Sequence, residues 1–131
     1  MVTKAKILLI DDDVLVLRTL ARVLDTQGYE TTAVNSGVKA IERVKKEDFD
    51  LVMSDIRMPE LDGVETVKII EEHHRHHGKS CAYMFITAYP DDQRTKGVSS
   101  LGRPKLMLKP FEIEDLLGSI ELELQARPSL P

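Results

Sequence analysis

The sequence predicts an α/β domain of (βα)5 type, a doubly wound five-stranded parallel sheet with helices on both faces. Three observations predict it. Five short apolar runs recur along the chain, segments of ten or more residues separate them, and acidic, hydroxyl and basic residues stand just after several of the runs. Connections of that length suit parallel strands joined by helices, and right-handed crossovers then distribute the helices over both faces.

The elements follow in order. Lys-Ile-Leu-Leu-Ile at 6–10 is a buried strand, and Leu17, Leu20, Ala21 and Leu24 repeat at i, i+3, i+4 and i+7, a helix stripe that Gly28 ends. A second strand spans 30–34, Gly37, Ala40, Ile41 and Val44 mark a second helix face, and 50–54 is a third, buried strand. The third helix is expected over 64–77, with Val67 and Ile70 inward and Gly78 as its stop, before a fourth strand at 82–87. Residues 91–101 offer only Val98 and Leu101 as apolar anchors and carry Gly97, Ser99 and Ser100, so the fourth helix is expected to be the least stable. A fifth strand at 105–108 and a stripe of Ile113, Leu116, Leu117, Ile120 and Leu124 complete the pattern before Pro128.

With 131 residues and 42% hydrophobic content, the chain has room for one core and no second domain. The expected domain covers residues 1–125, with 126–131 a disordered tail or the start of a linker. Against 22 Asp and Glu stand 18 Lys and Arg, a net charge of −4 without a basic stripe, which argues against direct nucleic-acid binding. Cys81 is alone, so no internal disulfide forms, and no apolar segment suggests a membrane span or leader; the expected location is cytoplasmic.

Asp11, Asp12 and Asp13 follow strand one, Asp55 strand three, Thr87 strand four and Lys109 strand five. In a parallel sheet these ends share one edge, where ligands bind in such folds. Clustered carboxylates repel one another unless a cation neutralises them, and oxygen-only ligands favour a hard ion, most simply Mg2+. With Lys109 close to Asp55, the set could neutralise a phosphoryl group during transfer to a carboxylate, a nucleophilic role for Asp.

Four segments in order, Ile-Leu-Leu-Ile-Asp-Asp-Asp, Met-Ser-Asp-Ile-Arg-Met-Pro-Glu-Leu-Asp-Gly, Ile-Thr-Ala and Lys-Pro-Phe, resemble the receiver domain of two-component response regulators over residues 4–125. The resemblance implies a flavodoxin-like strand order 2-1-3-4-5 and makes Asp55 the phosphoacceptor for a sensor histidine kinase or phosphotransfer protein. It implies Mg2+ held by Asp11, Asp12, Asp55 and the backbone carbonyl of Arg57. Thr87, Lys109 and the backbone N–H of Ala88 would contact the phosphoryl group, and Lys109-Pro110 would be a cis peptide. The fourth helix, fifth strand and fifth helix would form a partner-binding or dimerisation surface. Such a domain is a phosphoacceptor that assists its own chemistry, not a metabolic enzyme, and is either a stand-alone receiver or the receiver piece of a longer regulator or hybrid kinase.

Other residues read more plainly. Asp13 is expected to cap the first helix. His73 and His77, four residues apart, could capture Zn2+ or Ni2+, although a polar last helical turn is the simpler reading, and His74 could pack inward. Cys81 is expected to be a small structural residue. Leu106 stands where receivers usually carry Tyr, Phe or His, so switching is expected through the marginal fourth helix, and Gly102-Arg103-Pro104 replaces the usual Gly-Ala. Arg57 and Tyr89 are bulky enough to restrict water, which predicts slow autodephosphorylation. A phosphohydrolase of the haloacid-dehalogenase type would want a second Asp where Arg57 stands, and a phosphate-independent scaffold would not need the full Asp, Thr and Lys set.

Overall fold

The structure, a computed structural model, describes residues 4–89, 93–101 and 104–127. The elements are β1 (Lys6–Ile10), α1 (Val14–Thr26), β2 (Glu30–Val34), α2 (Gly37–Lys46), β3 (Leu51–Asp55), α3 (Gly63–His76), β4 (Ala82–Thr87), a 3-10 helix (Gln93–Leu101), β5 (Lys105–Leu108) and α4 (Ile113–Ala126). All four strand pairings are parallel and the order is β2-β1-β3-β4-β5, as the sequence predicts. Among the described residues no helix is long and apolar enough to cross a membrane.

Alternation along the strands builds two cores. Ile7 and Leu9 of β1 face one layer with Leu17, Leu20 and Leu24 of α1 and Leu116 and Ile120 of α4. Leu8 and Ile10 face the other layer with Ala40 and Val44 of α2, Val64, Val67 and Ile70 of α3, and Val98 of the 3-10 helix. Central strands buried on both faces read as continuous apolar runs, which is why β1 and β3 are so plain in the sequence.

The helix ends carry the expected chemistry. Asp13 accepts backbone N–H bonds from Leu15 and Val16, Ser36 from Lys39 and Asp62 from Glu65, each cap worth about 1 kcal/mol. Gly28 and Gly78, just beyond α1 and α3, lie at φ of +90° and +62°, a left-handed region costly for residues with a Cβ.

Three expectations need correcting. The fourth helix is a 3-10 helix, nine residues long, packed on α3. With Val98 as its buried anchor and Gly97 set where a Cβ would stand 2.8 Å from Val64 Cγ1, the segment lies flat against α3 and lacks the apolar stripe that rewards a regular α-helix. The third strand starts and ends one residue later than expected, at Leu51 and Asp55, and α3 starts at Gly63. The last helix ends at Ala126, before Pro128 as expected, and Arg127 Nη1 donates to Asp50 Oδ1 at 2.5 Å, tying the helix end to the start of β3. Residues 91, 92, 102, 103 and 128–131 of the expected fourth helix, the Gly-Arg-Pro stretch and the tail lie outside the described residues.

The start of α3 is pressed against the end of β3. Gly63 N donates to Ile56 O at 2.8 Å, and a Cβ at Gly63 would fall 1.8 Å from the backbone oxygen of Asp55. No rotamer relieves a clash with backbone. Gly63→Ala is therefore expected to destabilise the protein by about 2–4 kcal/mol in urea unfolding. Gly118→Ala, in α4 with nothing within 4 Å of the added carbon, is expected to stabilise it by about 0.5–1 kcal/mol. Equal effects at the two sites would contradict the packing described.

Candidate functional site

The carboxyl ends of β1, β3, β4 and β5 meet at one edge, and backbone bonds continue the pairing past the strands. Ile56 N donates to Ile86 O at 3.2 Å and Lys109 N to Thr87 O at 2.8 Å. Residues far apart in sequence are thereby fixed side by side.

The three consecutive aspartates divide their work. Asp11 is buried, its Oδ1 accepting from Asp13 N at 2.9 Å and its Oδ2 from Lys109 Nζ at 3.2 Å. Asp12 is exposed at the rim, and Asp13 turns away to cap α1. Asp11, Asp12 and Asp55 each present a carboxylate oxygen such that all three lie within 4.8 Å of one another. Lys109 Nζ is also 3.9 Å from Asp55 Oδ2, and the cis Lys109-Pro110 peptide follows.

One ammonium facing three carboxylates leaves the edge short of positive charge. Burial, then repulsion from Asp11, pushes Asp55 up to about 6, against the opposing pull of Lys109. This imbalance and an all-oxygen donor set fit a hard divalent cation, with water completing the shell.

Thr87 is fully buried, and its Oγ1 accepts from Tyr89 N at 2.9 Å. Ala88 lies between them, exposed at the same edge. Arg57, in the loop after β3, places its guanidinium 4.5 Å from the centre of the Tyr89 ring, a cation–π contact that spans the edge beside Asp55. Every residue the sequence singles out for this site thus lies at one edge.

Some of the support was not legible in the sequence. The Gly63 contact and the Arg57–Tyr89 stack depend on the approach of separate segments, whereas the Ser54 Oγ bond to Asp55 O at 2.8 Å and the left-handed Glu60 (φ 65°) are local features that their residue types do not announce. Only the Met-Pro turn and the Asp-Gly pair hinted at the loop's tight course.

Two side groups are structural. His74 is buried, its Nδ1 2.8 Å from the Tyr83 hydroxyl, and burial lowers its pKa to about 4. Cys81 is also buried and its thiol is pushed up to about 12, chiefly by burial, so it is not a reactive thiolate.

Residues 7–121 match the response regulator receiver domain family. The chain is 34% identical over 121 residues to the response regulator receiver protein CpdR of Brucella abortus, covering 92% of this chain and 98% of CpdR. It is 31% identical over 118 residues to the transcriptional regulatory protein ZraR of Escherichia coli, covering 90% of this chain but 26% of ZraR. It therefore spans nearly all of one relative and about a quarter of another. Among solved structures, the chemotaxis protein CheY4 of Vibrio cholerae superposes with a TM-score of 0.82 at 25% identity, over 92% of this chain and 99% of CheY4. The receiver domain of the sensor histidine kinase PA1611 from Pseudomonas aeruginosa, described with a magnesium ion in its active site cleft, superposes with a TM-score of 0.82 at 21% identity, over 95% of this chain and all of that one.

A carboxyl whose folded pKa is raised favours folding at low pH, and that contribution is lost as pH rises from the unfolded value of 3.8 through about 6. Without divalent ions, Asp55→Asn is therefore expected to stabilise the protein by about 1–3 kcal/mol at pH 7.5 and by almost nothing near pH 4. Thermal unfolding at the two pH values checks this; a mutant less stable than wild type at pH 7.5 would contradict it.

Proposed function

This chain belongs to the response regulator receiver domain family, and we propose that Asp55 is its phosphoacceptor, charged by the phosphohistidine of a sensor histidine kinase or phosphotransfer protein. The observation that carries this reading is the convergence of Asp11, Asp12, Asp55 and Lys109 with all their functional atoms a few ångströms apart.

In the proposed step an Asp55 carboxylate oxygen attacks phosphorus. An O–P bond forms, the N–P bond to the donor imidazole breaks, and the imidazole nitrogen keeps the electron pair. Lys109 moves from carboxylates to a phosphoryl oxygen, Thr87 donates its hydroxyl proton to another, and the Ala88 N–H approaches the third. Mg2+, bound by Asp11, Asp12, Asp55 and the backbone carbonyl of Arg57, would supply the charge neutralisation that Lys109 alone does not provide. Arg57 and Tyr89 together restrict the approach of water to the acyl phosphate, so the phosphorylated state decays slowly. Arg57, engaged with Tyr89, also stands where a haloacid-dehalogenase-type hydrolase would need its second acid.

Signal output is proposed to use the 3-10 helix, β5 and α4 as a partner-binding or dimerisation face. Leu108 and Leu122 are 50% and 65% exposed there, beside a groove of about 710 Å³ between β5 and α4. Leu106, half-buried against the same layer as Val98 and Leu101, has no polar tip to follow Thr87, so movement of the 3-10 helix carries the switch. The apolar Val14 and Leu15 at the start of α1, next to the acidic edge, favour contact with a phosphodonor protein. We place the domain in the cytoplasm, within residues 1–125, without direct nucleic-acid contact, acting alone as CpdR is matched or within a longer regulator as ZraR is.

Intact mass after incubation with Mg2+ and acetyl phosphate tests the reading. Wild type is expected to gain one phosphoryl mass only with Mg2+, Asp55→Asn to gain none, and an Arg57→Ala, Tyr89→Ala double mutant to lose the label faster than wild type. No gain in wild type with Mg2+ would overturn phosphoacceptance, and slower decay in the double mutant would overturn the shielding role.

A further inference from the structure

The side of the sheet formed by β5 and α4 carries charge largely of one sign. α4 holds Glu114, Asp115, Glu121 and Glu123 and no Lys or Arg, and Glu112 precedes it. In the groove between α4 and β5, Glu112, Glu114 and Asp115 face a single basic side chain, Lys105. That groove runs along a strand edge. All four residues of β5 line it, although neighbours in a strand point to opposite faces, so it opens onto the backbone edge of β5. β5 ends the strand order, and among the described residues no strand pairs with its outer edge. Such an edge offers N–H and C=O groups to a further strand.

We propose that the outer edge of β5 receives an extended, Lys- or Arg-bearing segment of a partner protein as a sixth strand, with an apolar side chain seated over Gly118 between Leu108 and Leu122. The proposal rests on the reading of β5 and α4 as the output face and names the chemistry of what binds there.

Gly118 points to an occupant from outside. It lies exposed within α4, and a Cβ built on it would meet nothing within 4 Å. Glycine there weakens the helix relative to alanine, and nothing in the fold fills the hollow it leaves. Leu122, one turn further along α4, and Leu108 across the groove are both exposed, so the hollow has apolar walls. The groove, about 710 Å³, has room for a short peptide segment. Charge then decides between a partner and a second copy. Two copies meeting groove to groove would bring three carboxylates for every ammonium group, and like charges set against each other oppose association. A basic segment brings the complementary sign to Glu114 and Asp115, both exposed at the rim.

The test is a backbone amide NMR titration of the whole chain at pH 7.5 and low salt. The probes are the synthetic peptide Lys-Val-Lys-Leu-Lys-Val and a version with Glu in place of each Lys. Saturating Mg2+ neutralises the carboxylates of the other edge and keeps the basic probe from them. The basic peptide is expected to shift amides of 105–108 and 114–122, and the acidic one to shift none. Gly118→Leu, whose side chain enters open space and leaves the fold intact, should weaken binding at least about tenfold by filling the hollow. The Glu114→Lys, Asp115→Lys double substitution should weaken it at least about fivefold, with circular dichroism reporting that each variant is folded. Shifts confined to other elements, equal binding of the acidic peptide, or unchanged affinity in Gly118→Leu would overturn the proposal. Self-association through 105–122 without peptide binding would overturn it in favour of a second copy. Phosphoryl mass gain is read on the same samples. A wild type that gains the mass but leaves the basic peptide unbound overturns this inference alone, whereas peptide bound at this edge without mass gain supports it and counts against phosphoacceptance.

Discussion

The structure depends on an electrostatic mismatch at one edge of the sheet. Two carboxylates, Asp11 buried and Asp55 nearly so, are held within reach of one ammonium, and a third stands at the rim. In water such groups would separate. Here the strands hold them, and Asp55, desolvated and repelled by Asp11, has its pKa pushed up to about 6. A site unfavourable in isolation is one that gains most from a cation or from the transfer of charge to a phosphoryl group.

Holding that edge requires rigidity beneath it. The two cores clamp the sheet from both faces, with α1 and α4 on one side and α2, α3 and the 3-10 helix on the other. Gly63 lets the backbone of α3 lie against the carbonyl of Asp55, and Lys109 N is anchored to Thr87 O, so the carboxylate and the lysine are positioned by backbone rather than by flexible side chains. The 3-10 helix, with Val98 as its buried anchor, packs on α3 in the same layer.

Much of this was legible in the sequence because the central strands announce themselves. Ile7 to Ile10 and Leu51 to Met53 are buried on both faces and so form unbroken apolar runs, and the polar residues after them mark the edge. Asp13 could be told from Asp11 by its place before the first helical turn. The 3-10 geometry of 93–101 was not legible, because it follows from how closely Gly97 approaches Val64, a contact between segments remote in sequence. The same holds for Arg57 on Tyr89, where bulk was evident but the cation–π contact depends on two loops meeting. The shift of β3 by one residue reflects Asp55 remaining paired to Ile86, so that this carboxylate ends a strand instead of beginning a loop.

The central claim is that Asp55 is a destabilised carboxylate awaiting positive charge. The direct measurement is a pH titration of the aspartate side-chain carboxyl carbons by NMR, with and without Mg2+. The account predicts that Asp55 titrates near pH 6 in the absence of divalent ions and well below that value when Mg2+ is present. An Asp55 titrating in the ordinary range near 4 under both conditions would contradict it.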